Sequence, residues 1–151
     1  MEQKNCEIFI DGASHNEINQ YGYAIIICKD KKVIDKKYGR LSKNADKNKA
    51  ELESLLQALM YIDKHDGLFK IYSDCEVIVK SLTGDCKRQN NRTYWDLIEP
   101  LCDKNVGRFS IEHVESHQKN NVSYIAKYNN MADKLANKGA NSLLIAPIER
   151  K

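Results

Sequence analysis

The sequence predicts an α/β domain: a five-stranded mixed sheet, three strands antiparallel and the others parallel, flanked by helices. Two observations carry that prediction. The first forty residues hold three strand-length apolar or alternating runs joined by short polar links, the pattern of an antiparallel meander. Beyond them helical and strand patterns alternate, so the later strands must be reached by crossovers, which makes part of the sheet parallel and lays helices over its faces. A chain of 151 residues suits one such domain. Its core is expected over about residues 6–140, with a loose tail at 141–151.

The elements follow in order. Residues 6–10, ending in "IFI", read as the first strand, and "YAIIIC" (23–28) as the second. "KVIDKKYGRL" (32–41) alternates loosely and reads as the third, with "DKK" (30–32) as the hairpin turn. In "AELESLLQALMYI" the residues Leu52, Leu55, Leu56, Leu59 and Ile62 recur at helical spacing, with Asp46 as N-cap and Gly67 just past the end. "FKIYS" (69–73) is a fourth strand, and "EVIVKSL" a short helix closed by Gly84. "TYWDLIEPLCDK" places Trp95, Ile98, Leu101 and Cys102 on one helical face, with Pro100 able to bend or shorten it. "RFSIEHV" is the fifth strand and "NNMADKLANKGA" the last helix.

Composition narrows the setting. No apolar run approaches the roughly 20 residues of a membrane span, and "MEQKNCEIFI" lacks the pattern of a secretory signal. The five cysteines are scattered, with no Cys-x-x-Cys pair, so they read as reduced thiols of a cytoplasmic protein rather than as a zinc or disulfide framework. A net charge of +3 permits a nucleic-acid partner without demanding one.

Four acids stand out. Asp11 follows an apolar strand, where a carboxylate is costly to desolvate unless paired or bound to a metal; alternatively, Asp11-Gly12 is an ordinary turn. Asp74 ends the fourth strand, or caps the helix after it. Glu51 lies beside the apolar stripe of the long helix, with Glu53 as a rival on the same helix and a solvated position as the simpler reading. Asp133 sits near the start of the last helix, where the helix dipole alone would favour an acid. If the first and fourth strands are parallel neighbours, Asp11 and Asp74 emerge at one sheet edge. Four acids gathered there cannot all stay ionised without cations. Such a cluster suits hard divalent metals, Mg²⁺ above all. Two metals would clamp an in-line phosphoryl displacement, one activating water and the other stabilising the leaving oxygen.

The segments "IFIDGAS", "NKAELESLLQAL", "IYSDCEVIVKSL", "TYWDLI" and "HVESHQ…NNMADKLANKGA", in this order, resemble ribonuclease H of type 1 from about Cys6 to Ala140. The resemblance implies a ribonuclease H-like fold and a two-metal endonuclease that cuts the RNA strand of RNA/DNA hybrids, leaving 5′-phosphate and 3′-hydroxyl ends. It implies two Mg²⁺ ions, with Mn²⁺ as a substitute, and a monomer acting on the hybrid. Asp11 would bridge both metals, Asp133 would support the one that activates water, and Glu51 and Asp74 would hold the other. His117 matches a mobile histidine that assists proton transfer or product release. Asn16 and Asn48 match positions that reach the minor groove, where recognition relies on shape and 2′-hydroxyls. Trp95 matches a tryptophan near the DNA-binding side, although core of its own helix is an equal reading. Lys87, Arg88 and Arg92 form a reduced basic segment expected to meet phosphates.

Departures from the family pattern are equally specific. Cys75 and Glu76 follow Asp74 where Ser and Gln are usual, and a carboxylate at 76 would face phosphate. Sixteen positions separate His117 from Asp133, so "QKNNVSYIAKY" reads as an insertion, with residues 118–123 a mobile surface loop. His113, inside the strand pattern, reads as structural. The rival readings are the same domain from a reverse transcriptase polyprotein, an integrase or transposase of the same fold, and a hybrid-binding module without cleavage. The full set of four acids argues against the last.

Overall fold

The structure, a computed structural model, describes residues 5–42, 45–84, 90–115 and 123–142. His117, Lys87, Arg88, most of the loop after His117 and the tail beyond Ser142 lie outside the described residues, as does the side chain of Asn16.

Five strands form one sheet: β1 (Asn5–His15), β2 (Gln20–Lys29), β3 (Lys32–Arg40), β4 (Leu68–Ser73) and β5 (Phe109–His113). Four helices accompany them: α1 (Lys47–Lys64), α2 (Glu76–Thr83), α3 (Arg92–Lys104) and α4 (Tyr124–Ala140). The strand order is β3-β2-β1-β4-β5, antiparallel across β3, β2 and β1 and parallel across β1, β4 and β5. This is the architecture expected from the sequence. Among the described residues, no helix is long and apolar enough to cross a membrane.

Alternation along the strands divides the core. Ile8, Ile10, Ile25, Ile27 and Ile71 pack toward α1 and α3, whereas Phe9, Ile26 and Tyr72 pack toward α4. With both faces covered, the central strands read as unbroken apolar runs. The β2–β3 hairpin turns on Asp30 and Lys31 alone, both in the left-handed region (φ 53° and 64°), as a two-residue hairpin of right-handed twist requires. Lys32 already belongs to β3.

Two of the element boundaries that differ from expectation bear on the site. β1 does not stop at Ile10. Its parallel pairing with β4 ends at the Ile10–Ser73 pair, but β2 continues as its partner from Asp11–Ala24 to His15–Gln20. Asp11-Gly12 is therefore strand, not turn, and Asp11 is the first residue of β1 beyond the end of β4. Likewise α4 begins at Tyr124, five residues early, where the Ser123 hydroxyl accepts the Ala126 N–H at 3.1 Å. Ala126 and Tyr128 anchor that extra turn in the core, so the last five residues of the supposed insertion are helix. Asp133 consequently lies in the third turn, and the first-turn dipole explanation for it falls away.

Trp95 is also corrected in place. It is buried with Tyr94 and Ile98 in the core between α3, α1 and the sheet, which leaves the indole almost no surface for a nucleic acid. Pro100 does not break α3, which runs through it with the ring on the exposed side.

Candidate active site

The site forms where the sheet changes from parallel to antiparallel. Asp46 caps α1 by accepting the Lys49 N–H at 2.8 Å, which fixes the start of the helix and hence the angular position of Glu51. α1 then crosses the sheet directly over Gly12. A Cβ built on Gly12 would stand 2.5 Å from Glu51 N and 2.6 Å from Ala50 C. Only glycine allows that approach, and the Gly12 N–H uses it to donate to Glu51 Oε1 as well as to Asp11 Oδ1 (2.9 Å). Gly12 is the functional position that sequence reasoning missed. Its signal was a glycine inside a strand, which marks close backbone approach as readily as a turn.

Gly12→Ala is thus expected to push α1 off the strand, costing about 1–3 kcal/mol in the manner of an overpacked core. Urea unfolding checks this, and an unchanged midpoint would show that the helix yields freely.

On the opposite face α4 approaches as closely. Gly139 lies so near β3 that an added Cβ would stand 2.5 Å from Gly39 O, and Ala132, Ala136 and Ala140 are fully buried beside it. Small residues bring the helix axis down onto the sheet, and Asp133 comes with it to Asp11.

Three of the four acids singled out in the sequence meet, and the charge of the fourth, Asp133, is felt at Asp11. Asp11, Glu51 and Asp74 each offer a carboxylate oxygen, and the three atoms lie within 4.8 Å of one another. The charge of Asp133 acts on Asp11 from the α4 side. Asp74 does not cap α2, since the N-cap is Cys75. Glu53 is fully buried, but on another side of α1: it accepts the Tyr94 hydroxyl at 3.0 Å and the Gln57 amide at 2.6 Å.

Burial and mutual repulsion dominate the electrostatics. Desolvation, followed by the charges of Glu51, Asp74 and Asp133, pushes the Asp11 carboxyl up to about 11. Desolvation and Asp74 push Glu51 up to about 7. The Cys75 thiol is pushed up to about 12 by burial and by the Glu51 carboxylate. One atom is conspicuous: Asp11 Oδ2 is buried with no hydrogen-bond partner. A buried, orphaned carboxylate oxygen amid three other acids fits a hard divalent cation, and the all-oxygen donor set is the Mg²⁺ type.

The sign of the pH dependence follows. Raised carboxyl groups make the native state bind more protons than the unfolded one, so metal-free stability falls as pH rises, from 4.5 to about 7 through Glu51 and from 3.8 on toward about 11 through Asp11. Divalent cations should reverse the fall. In thermal melts, Mg²⁺ is expected to raise the midpoint clearly at about pH 8 and little at about pH 5. Equal shifts at both would detach the cation from these carboxyls.

The remaining predicted contacts are dispersed. Asn48 is exposed in the first turn of α1, three residues before Glu51, and Asn16 opens the single 3-10 turn after β1. The Arg92 guanidinium is exposed but held by Asp96 (2.8 Å) and Glu99 (2.9 Å). A phosphate would compete with surface ion pairs worth up to about 1 kcal/mol each. Glu76 is paired with Lys80 at 2.6 Å, which mutes the like-charge conflict anticipated there. His113 ends β5 with an exposed side chain.

The family model described as RNase H matches residues 3–141. The chain belongs to the ribonuclease H family. Solved structures of this fold agree with it at low identity. Prototype foamy virus protease-reverse transcriptase superposes with a TM-score of 0.78 at 21% identity, covering 93% of this chain but 21% of that one. This chain therefore spans about a fifth of the viral protein. Ribonuclease H1 of the halophilic archaeon Halobacterium salinarum NRC-1 gives 0.72 at 21% identity over 91% of this chain and 98% of that one. LC11-RNase H1, solved in complex with an RNA/DNA hybrid, gives 0.70 at 21% identity over 90% and 96%. No curated protein matches the chain by sequence.

Proposed function

We propose that this ribonuclease H family member is a divalent-metal-dependent endonuclease that hydrolyses the RNA strand of RNA/DNA hybrids to 5′-phosphate and 3′-hydroxyl ends. The observation that carries the reading is the convergence of Asp11, Glu51 and Asp74, with the charge of Asp133 acting on Asp11 and with Asp11 Oδ2 buried without a partner. Family membership points to the same chemistry.

Asp11, the central member, would face two Mg²⁺ ions, with Asp133 on one side and Glu51 and Asp74 on the other; Mn²⁺ would substitute. Bound cations supply activation of the attacking water and neutralisation of the departing oxygen. The residues supply the rest. β1 holds Asp11 on a rigid strand, Asp74 follows directly from the end of β4, and the Gly12 N–H fixes Glu51 through Oε1. Water's oxygen bonds to phosphorus as the bond to the 3′-oxygen breaks, and that oxygen leaves with a proton. His117 is the proposed aid to that proton's movement or to product release. Asn48 and Asn16 are proposed to read the minor groove by shape, and Lys87, Arg88 and Arg92 to meet phosphates of the DNA strand.

Incubation with labelled RNA/DNA hybrid, double-stranded RNA, double-stranded DNA and single strands, with and without Mg²⁺, tests the proposal. The expected result is cation-dependent loss of the hybrid's RNA strand alone. Equal cutting of other substrates, or cutting in chelator, would overturn it.

A further inference from the structure

We infer that His113 is a substrate-binding residue whose imidazole donates to a phosphate oxygen of the nucleic acid close to the scissile bond. The inference rests on the hybrid reading above and adds to it a contact from β5.

The register places the residue. β4 and β5 run parallel, and their last pair sets Ser73 beside His113. The Val114 N–H then donates to Ser73 O at 2.9 Å, which ties the end of β5 to the residue before Asp74. His113 therefore stands at the same sheet edge as Asp74, one strand farther out. Alternation turns its side chain to the face of Phe109 and Ile111, where α2 packs through Ile78, whereas Val114 turns to the α4 side. The imidazole is exposed there, and among the described residues no hydrogen bond holds it. The strand pattern alone suggests a structural histidine, but a histidine kept for packing is buried or bonded.

The ring is not a further cation ligand: among the described residues, the groups in mutual ligand range are Asp11, Glu51 and Asp74. Its reach is toward substrate. Neighbouring strands lie about 4.8 Å apart, and phosphates follow one another every ~3.4 Å along a duplex axis. A backbone with its scissile phosphate at Asp74 that continues across β5 thus brings the next phosphate or two to His113. Phosphate oxygens accept, and an imidazole donates from one ring nitrogen or the other. Glu76 is the nearby acid on α2. Its pairing with Lys80 at 2.6 Å lowers the charge that an arriving phosphate meets.

The test combines steady-state kinetics in Mg²⁺ with binding of labelled hybrid in chelator, where cleavage is not required. His113→Ala should raise both KM and the hybrid Kd about 5–10-fold, the worth of one net hydrogen bond. Turnover and the melting midpoint should stay as in the wild-type protein. His113→Gln, which keeps an N–H donor, should recover most of the loss. Hybrids with one phosphate near the cut replaced by an uncharged methylphosphonate locate the partner. At one position the replacement should weaken wild-type binding by a similar factor and weaken His113→Ala no further. An unchanged KM in His113→Ala, a loss confined to kcat, no recovery in His113→Gln, or a loss coupled to no phosphate position would overturn the inference. Cleavage of unmodified hybrid by the wild-type protein tests the proposed function separately.

Discussion

Asp11→Asn is expected to lower turnover on an RNA/DNA hybrid by at least ~10³-fold while the protein remains folded, because positioned cations supply most of the barrier lowering in this chemistry. The structure explains why folding should survive. Asn keeps an oxygen to accept the Gly12 N–H, and its amide can donate toward Asp133, where Asp11 now presents an oxygen with no partner. Asn is neutral without a proton, whereas the Asp11 carboxyl must take one up on folding to stay in this site. The metal-free melting midpoint should therefore rise, and the increment given by Mg²⁺ should shrink. Steady-state kinetics with thermal melts on the same preparation reads both effects. Near-wild-type turnover would end the two-metal reading of Asp11.

The second large effect separates two acids on one helix. Glu51→Gln should abolish activity and Glu53→Gln should leave it largely intact, although the two are equally hidden from solvent. They point about 200° apart at roughly 100° per residue, one to the sheet edge and the other to α3. At Glu53 the amide has a place ready for it. Gln57 Oε1 is buried without a partner, and its amide group now donates to Glu53. A glutamine at 53 lets that pair turn over, donating to Gln57 Oε1 while still accepting the Tyr94 hydroxyl. At Glu51 the same change removes a charged ligand beside Asp11 and Asp74. The reverse outcome in parallel assays would shift the helix alignment by two residues.

Much of this was legible in the sequence, for definite reasons. Helical spacing over Leu52–Ile62 and the Asp46 cap place Glu51 without a structure, because both are local. The parallel pairing of β1 with β4 followed from the intervening helix. The end of β1 did not, because its last five residues are small or polar and are held by β2 rather than by their own pattern. The start of α4 was hidden for the opposite reason. Its first turn, "YIAKY", is rich in aromatic and β-branched residues of modest helix propensity, and tertiary burial of Ala126 and Tyr128 overrides that preference. Trp95 shows the limit of residue matching. Its helix presents an apolar face, and that face lies against the core, so of the two readings of Trp95 burial supports the packing one.

Each of the four acids is positioned by a different part of the fold: β1, α1, the bend after β4, and α4. No local segment, and no partly folded state lacking one of these elements, carries the full set. The cation affinity proposed for the cluster would therefore be a property of the completed tertiary structure alone, with nearly all of the binding free energy delivered to the native state rather than shared with its competitors. The cluster then acts as a sensor of assembly. A chain with its sheet formed but α4 undocked would retain much of its secondary structure and bind cations weakly. Titration with Mg²⁺ would thereby count native molecules in a mixture that spectroscopy of the backbone cannot sort.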